Sequence, residues 1–275
     1  MGASLLTVDL GNSAAKLRAW QVDSSGALVC GARLEVASEA SDPATLEPFF
    51  AAHPRLELAA MSSVAGERST ASWRELLAKS TRARLFDELS PGLDNQTREP
   101  ERVGRDRLFA ARGALEWIGE SALVVDVGTA LTVDVLIVRR APSSAAEWPR
   151  GEFLGGAIAP GPQLLARALS SGAARLFEVV PEPDPPALGR DSAAAMRSGV
   201  GVGIRGAARE LSETIAREAG LVDPPIALTG GARAFVASVF TGRRVFESED
   251  LVHYGLCAAL LQQTGLARPR SFQAR

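Results

Sequence analysis

A short pattern occurs twice in the chain and constrains its fold more than any other feature: an aspartate, any residue, glycine, and then asparagine or threonine. The first copy begins at Asp9, near the end of the apolar run Ser4–Leu10, and the second begins at Asp126, near the end of Ala122–Val127. Short apolar runs that end at a Gly-Asn or Gly-Thr pair predict strands followed by turns. The copies lie too far apart for a solenoid repeat, so they predict two similar domains.

Helical patterns separate these strands. Apolar side chains recur at helical spacing along one face of Arg105 to Ile118, and again along Ser192 to Ala219. A late strand, Pro225 to Thr229, leads into a glycine turn that a further helix is expected to follow. Alternating strands and helices predict an α/β fold with mixed sheets. We place the domain boundary near Gly119, which gives an N-terminal domain of residues 1–118 and a C-terminal domain of residues 119–275.

Small residues line one face of the second predicted helix. Gly199, Gly203 and Ala207 lie four residues apart, so another helix can approach this face closely. The approaching helix would belong either to the same chain or to a partner subunit, and the pattern leaves both alternatives open.

Composition excludes several classes of function. The 275 residues carry 30 Lys+Arg and 32 Asp+Glu, and this near-neutral balance argues against a nucleic-acid partner. No apolar stretch is long enough to span a membrane. Two cysteines, Cys30 and Cys257, are too few for a disulfide framework, which favours the reducing cytoplasm. With only His53 and His253, neither a Cys/His zinc site nor a histidine triad is expected, and His253 is interpreted as a packing residue.

The first copy of the pattern has the residues of a phosphate-binding turn. Gly11 allows a sharp bend and a close approach of the backbone to a ligand. Asn12 and Ser13 then present N–H groups to an anion, and Lys16 adds a positive charge. Asp9 is able to hold hydrated magnesium. A single copy would serve equally as the cap of a hairpin, but two copies favour a nucleotide cleft between two domains.

A third element begins the first predicted helix. Asp106 lies in the first helical turn, where the helix dipole favours an ionised carboxylate. Such a group can orient a hydroxyl and accept its proton during phosphoryl transfer, while Arg107 can bind an anionic substrate. The alternative interpretation is a first-turn aspartate that only pairs with an arginine.

Taken in order, these segments resemble the type III pantothenate kinases, a family of the acetate and sugar kinase/Hsp70/actin superfamily. The resemblance is carried by DLGNSAAK (9–16), PERVGRDR (100–107), DVGTALTVD (126–134), GEFLGGAIAPG (151–161), GRDSAAAMRSG (189–199), LTGGA (228–232) and LVHYGL (251–256). It implies two ribonuclease H-like or actin-like domains and the ATP-dependent phosphorylation of pantothenate to 4′-phosphopantothenate, the first step of coenzyme A biosynthesis.

The resemblance also implies roles for individual residues. Those of the first ATP-phosphate loop are Asp9, Leu10, Gly11, Asn12, Ser13, Ala14, Ala15 and Lys16, with Thr129 as a contact in the second. Asp126 corresponds to the ligand of a monovalent cation, K⁺ or NH₄⁺, and Asp9 is the candidate ligand for Mg²⁺. Asp106 corresponds to the general base on the substrate hydroxyl. The pantothenate-binding residues are Thr97, Gly104, Arg105, Asp106, Arg107 and Ser192. Ser192 would reach the site from the neighbouring subunit of a homodimer.

Two positions depart from the family pattern. Thr97 stands where the family often has tyrosine, and Asp191-Ser192 replace the common Asn-Thr pair. Both departures concern the substrate side, so they leave two alternatives open. One is a nucleotide-binding regulator without pantothenate kinase activity, and the other is a kinase of another small hydroxyl compound.

Overall fold

A computed structural model of the chain describes residues 4–39, 42–140 and 147–273. Its contacts define two compact units. The first comprises Met1–Glu120, Val138–Phe153 and Asp250–Arg275, and the second comprises Ser121–Ile137 and Leu154–Glu249. The division at residues 1–118 and 119–275 treats each domain as one continuous segment. The compact units differ from it because the chain returns to the first unit twice.

The elements are numbered in chain order. The strands are β1 (Ser4–Leu10), β2 (Ala14–Val22), β3 (Ala27–Ala37), β4 (Leu58–Ser63), β5 (Arg84–Phe86), β6 (Asp94–Asn95), β7 (Ala122–Val127), β8 (Ala130–Arg140), β9 (Arg150–Pro160), β10 (Ile226–Thr229), β11 (Val245–Glu247) and β12 (Ser271–Gln273). The α-helices are α1 (Glu47–Ala52), α2 (Glu67–Ser80), α3 (Arg105–Ile118), α4 (Pro162–Gly172), α5 (Ser192–Glu218) and α6 (Leu251–Gln263). None of the helices in the described ranges is long and apolar enough to cross a membrane.

The sheet of the first unit has the strand order β12-β3-β2-β1-β4-β5. Strands β1, β2 and β3 pair antiparallel, whereas β4 runs parallel to β1 and β5 runs parallel to β4. Asp9 lies opposite Lys16, and the Gly11 N–H donates to the carbonyl of Ala14 at 3.0 Å to close the turn. The predicted strand and turn at this position are confirmed.

The second sheet has the order β11-β10-β7-β8-β9-β6. Strand β8 pairs antiparallel with β7, while β10 runs parallel to β7 and β11 runs parallel to β10. Apart from the edge strands β12 and β6, both sheets therefore place their strands in the order third, second, first, fourth, fifth. This shared order confirms the prediction of two similar, actin-like α/β domains with mixed sheets.

Helix α3 has the bounds that the sequence predicts, and it ends at Gly119, whose φ of 74° is the left-handed conformation that glycine favours. The expected single apolar face was wrong. Every residue from Leu108 to Glu116 is buried, because α3 packs against α6, which is itself buried from Leu251 to Leu261. Each helix has a glycine at the contact. A Cβ at Gly113 would lie 1.9 Å from the Leu251 carbonyl oxygen, and one at Gly255 would lie 2.0 Å from that of Phe109.

Apolar cores lie against both sheets. In the first unit, β1, β2 and β4 pack against α1 and α2, with Leu6, Leu17, Phe50 and Trp73 buried. In the second unit, β7, β8 and β10 pack against α5. The helix expected after Gly230-Gly231 was wrong, since two short 3₁₀ turns, Arg233–Phe235 and Ala237–Phe240, follow instead.

Candidate active site

The turn between β1 and β2 is braced by the end of β3. The Ser38 hydroxyl donates to the carbonyl of Gly11 at 2.6 Å, and the Ser38 N–H donates to the carbonyl of Ser13 at 3.2 Å. Asn12 and Ser13, at the tip of the turn, are exposed. A fixed backbone with exposed N–H groups at its tip suits an anion such as a phosphate.

Asp9 is half-buried at the end of β1, and its charge is poorly compensated. Burial raises the pKa of this carboxyl to about 6; Lys16 acts in the opposite direction, and Asp106 adds to the rise. Asp9 and Asp106, both in the first unit, are thus close enough for Asp106 to raise the pKa of Asp9. A bound cation would stabilise the ionised form of this carboxylate, so Asp9 fits the chemistry of a magnesium ligand.

Asp106 sits in the first turn of α3 with its carboxylate folded back toward the helix N-terminus. Its Oδ1 accepts the backbone N–H of Arg107 at 2.8 Å. Gly104, at the N-cap position, makes room for this carboxylate, since a Cβ there would lie 2.5 Å from Asp106 Oδ1. The Gly-x-Asp spacing thus has a steric cause. Asp106 remains half-buried at a helix N-terminus, as a group that accepts a proton from a bound ligand requires.

The two arginines beside Asp106 have different neighbours. The Arg107 guanidinium lies over the Phe153 ring, 5.5 Å from its centroid. Arg105 instead donates from Nη2 to the Leu89 carbonyl at 2.7 Å, and burial lowers its pKa. Arg105 therefore holds the loop before β6. Its role in substrate binding stays a prediction.

Thr97 belongs to a loop that is held against the same phenylalanine. The Thr97 hydroxyl donates to Asn95 Oδ1 at 2.8 Å, and Asn95 Nδ2 donates to the carbonyl of Pro100 at 3.3 Å. The Gln96 N–H donates to the carbonyl of Phe153 at 2.9 Å. The structure thus brings the loop of Thr97 and the side chain of Arg107 together around Phe153. Phe153 lies within the GEFLGG segment, but nothing in that local pattern marks it as a residue of the site.

In the second unit, the turn between β7 and β8 packs against the start of α4. Thr129 is exposed, and its carbonyl accepts the N–H of Gly161 at 2.9 Å. A Cβ at Gly161 would lie 2.2 Å from the carbonyl oxygen of Gly128. The glycine before α4 is therefore required for this contact, which fixes the backbone around Thr129.

Asp126 lies beside a second tight glycine. Gly230 has φ of 95°, and a Cβ there would lie 2.4 Å from Asp126 Oδ1 and 2.3 Å from the carbonyl oxygen of Val127. A half-buried carboxylate and a backbone carbonyl thus lie side by side at this glycine, and the Val127 carbonyl also accepts the Ala232 N–H at 2.8 Å. Carboxylate and carbonyl oxygens are ligands that suit a monovalent cation. Within residues 4–39, 42–140 and 147–273, no group of three or more His, Cys, Asp and Glu side chains could hold a metal ion.

Ser192 is exposed at the first position of α5, in the second unit. The preceding Asp191 caps this helix, with its Oδ1 accepting the Ala194 N–H at 2.8 Å. Asparagine and aspartate are equally good in this role. The departure at position 191 is therefore compatible with the fold.

Comparison with known proteins identifies the family. The sequence model of the type III pantothenate kinases matches residues 5–214. The chain belongs to this family. A type III pantothenate kinase from Alkalilimnicola ehrlichii is 36% identical over 273 residues, covering 94% of this chain and 98% of that protein. One from Thermomicrobium roseum is 36% identical over 168 residues, covering 61% of this chain.

The coverage of these family members differs. The chain spans 60% of the length of the Thermomicrobium roseum protein and 54% of a type III pantothenate kinase from Agathobacter rectalis. Among solved structures, a putative Baf family transcriptional activator from Campylobacter jejuni aligns with a TM-score of 0.57 at 20% identity, covering 95% of this chain and 100% of that one. This likeness shows a shared fold. Helix α6 lies beyond the segment that the family model matches.

Proposed function

We propose that this chain transfers the γ-phosphoryl group of ATP to the primary hydroxyl of pantothenate in the cytoplasm, opening coenzyme A biosynthesis. Membership of the type III pantothenate kinase family supports this reaction. The observation that carries it is electrostatic: the candidate base Asp106 lies near enough to the phosphate-turn residue Asp9 to raise its pKa. A kinase needs these two groups together, one beside the phosphates and the other beside the attacking hydroxyl.

In this proposal, residues 9–16 bind the phosphates of ATP and Thr129 adds a contact. The exposed tip of the first turn supports the first assignment, and the exposure of Thr129 supports the second. Asp9 would hold Mg²⁺, and Asp126 would hold K⁺ or NH₄⁺. Bound there, the cations would neutralise charge on the phosphates and favour ATP binding. The expected nucleotide cleft stays a prediction.

Asp106 would accept the proton of the pantothenate hydroxyl while the hydroxyl oxygen bonds to the γ-phosphorus. The bond from that phosphorus to the bridging oxygen breaks, and ADP leaves. Phosphoryl transfer has a loose transition state, so positioning and charge neutralisation supply most of the rate. Arg107 would bind the carboxylate of pantothenate, with Thr97, Gly104 and Arg105 on the substrate side.

We further propose a homodimer in which Ser192 completes the substrate site of the neighbouring subunit. The exposure of Ser192 supports this assignment. So does the face of small residues on α5, because no described atom lies within 4 Å of the Cβ position at Gly199 or Gly203. Of the two alternatives that the sequence leaves open for this face, contact with a partner subunit is the one we adopt.

A coupled kinase assay with pantothenate, with and without potassium, tests the function. We expect Asp106→Asn to abolish turnover while calorimetry still detects ATP binding, because the amide cannot accept the proton. Asp184→Asn makes the same chemical change on a side chain that is 97% exposed and should leave turnover unchanged. Normal turnover in Asp106→Asn would remove this residue from the mechanism, and an inactive wild-type protein would contradict the proposed reaction.

Thr97 favours one further candidate, a kinase of another small hydroxyl compound. Its short side chain is bonded to Asn95 and leaves the substrate side without the aromatic wall that the family often has. ADP release measured against a panel of hydroxy acids and sugars separates this candidate from a pantothenate kinase. A regulator that binds ATP alone would give heat with ATP and none with pantothenate.

A further inference from the structure

A polar cluster that is buried except for Arg33 joins helix α6 to the first sheet. It consists of Thr7, Arg18, Trp20, Arg33, Asp250 and His253, and we call it the α6 clamp. Thr7 and Asp250 are 0% exposed, His253 is 1% exposed and Arg18 is 4% exposed. Because charged side chains are rarely buried without paired partners, the contacts within the clamp must offset a large desolvation cost.

Asp250 lies at the N-cap position of α6 and binds two arginines. Its Oδ1 accepts Arg18 Nε at 2.6 Å, and its Oδ2 accepts Arg33 Nη2 at 2.7 Å. Arg18 and Arg33 are register partners on β2 and β3, so one carboxylate holds two like charges on adjacent strands. Burial alone would raise the pKa of Asp250, but the hydrogen bonds from Arg33 and Arg18 outweigh it and lower the pKa. Asp250 is therefore ionised.

His253 connects the same helical turn to β1. Its Nδ1 lies 2.8 Å from Thr7 Oγ1, which also accepts the Trp20 Nε1–H at 2.8 Å. Burial lowers the pKa of His253 well below its usual value, so the ring is neutral. Through Asp250 and His253, the first turn of α6 is thus attached to β1, β2 and β3.

The α6 clamp lies next to the candidate phosphate turn, on the same two strands. Thr7 pairs with Arg18, and two residues further along the same strands Asp9 pairs with Lys16. Side chains two residues apart share one face of a strand, so the clamp supports the face that carries Asp9 and Lys16.

The opposite side of α6 packs against α3, the helix that begins at the candidate base. The glycine contacts at Gly113 and Gly255 bring the backbones of the two helices together with no room for a Cβ. Helix α6 therefore contacts both the strands of the phosphate turn and the helix that begins at Asp106.

We propose that Asp250 is a positioning residue for phosphoryl transfer. It holds the strands that carry Asp9 and Lys16 against α6 and thereby keeps these two residues at a fixed distance from Asp106. This inference rests on the proposed function. The carboxylate touches no reacting atom and acts through Arg18 and Arg33. Misplacement of reacting groups by about 1 Å can cost roughly a hundredfold in rate, so a substitution in the α6 clamp should lower the catalytic rate.

The test compares Asp250→Asn with the wild-type chain at temperatures well below the Tm of each variant. We expect kcat to fall by roughly tenfold to a hundredfold, and the affinity for ATP, measured by calorimetry, to fall as well, with a smaller effect on the KM for pantothenate. Glu75→Gln is the control, since this carboxylate is 75% exposed in its pair with Lys79 and should change neither quantity.

A double variant, Arg18→Met with Asp250→Asn, separates positioning from stability and serves if Asp250→Asn does not fold. In it, Arg33 loses its bond to the Asp250 carboxylate, but the Arg33 side chain is 30% exposed, so we expect the Tm of the double variant to recover toward wild type while kcat and ATP affinity stay low. The inference would be overturned if Tm, kcat and ATP affinity all recovered in the double variant. It would also be overturned if folded Asp250→Asn had unchanged kcat and ATP affinity. A wild-type chain without pantothenate-dependent turnover would contradict the proposed function, and the ATP titrations would still decide the role of Asp250.

Discussion

The contact between α3 and α6 leads to a quantitative prediction for Gly255→Ala. The new methyl group would lie 2.0 Å from the carbonyl oxygen of Phe109, whereas real Cβ contacts are essentially never closer than 3.0 Å. Its neighbour is backbone inside a buried helix, so no side chain can turn away to make room. The two helices must separate by about 1 Å or bend, and both movements disturb a core that is packed on every side.

Two opposing terms set the size of the effect. Forcing a methyl group into a packed core costs about 1–3 kcal/mol, and the backbone contact places this site at the upper end. Alanine gains about 1 kcal/mol over glycine within a helix. The expected net loss is about 2 kcal/mol in the free energy of unfolding, which corresponds to a fall in Tm of about 4–8 °C for a chain of this size.

Thermal denaturation of Gly255→Ala beside Gly172→Ala provides the measurement. Gly172 is an exposed glycine at the end of α4 whose Cβ position has no atom within 4 Å, so its substitution should raise the free energy of unfolding by up to about 1 kcal/mol. The two glycine-to-alanine changes should therefore shift Tm in opposite directions. If Gly255→Ala were as stable as the wild-type chain, the reasoning about backbone contact would be refuted.

Two further predictions concern charge and capping. Burial raises the pKa of Asp9 from 3.8 to about 6, so the folded chain binds this proton more tightly than the unfolded chain. The stability that this proton contributes is present below pH 3.8 and is lost as the pH rises through about 6. In the absence of nucleotide, Asp9→Asn should therefore be more stable than wild type at pH 8, by about 3 kcal/mol, and the difference should close near pH 4. A Tm difference between the two proteins that does not change with pH would contradict the raised pKa. Asp191→Ala should lose the cap of α5 and about 1 kcal/mol, whereas Asp191→Asn should keep it; equal Tm values for the two variants would show that the cap does not contribute.

Local signals were sufficient for many elements. The bounds of β1, β7 and α3 agree with those expected, because each of these segments ends at a glycine that breaks its pattern. Strand β8 is longer than the apolar run Leu131–Val138 that predicts it, extending from Ala130 to Arg140. Its last two residues are arginines, which an apolar pattern cannot include.

Burial of polar residues was not predictable from the local pattern. Arg112 and Glu116 are charged residues of α3, yet both are buried as an ion pair with 2.9 Å between Nη2 and Oε1. Arg112 also donates to Gln262, and Glu116 accepts from Arg268. These partners lie about 150 residues away in the chain, so no window of sequence reveals them.

The parts of the candidate site that belong to a sequence motif were predictable. The parts that depend on contacts between residues far apart in the sequence were not. The spacing of Gly104 and Asp106 is a local signal, and the structure supplies its steric reason. Neighbouring Arg105 and Arg107 point to different partners, which spacing alone does not distinguish. The contribution of α6 was missed, although its sequence offers one signal: a histidine within an otherwise almost wholly apolar helix, just after an aspartate.

The discontinuity of the first unit bears on the order of events as the ribosome makes the protein. Strands β1 to β4 emerge early, with Thr7 and Arg18 on a face that α6 will cover, and the whole second unit is translated before that helix appears. Because domains fold as units during synthesis, the second unit can be complete while the first still waits for its closing helix. A released chain that ends before residue 250 should therefore hold a native second unit and an unfinished first one.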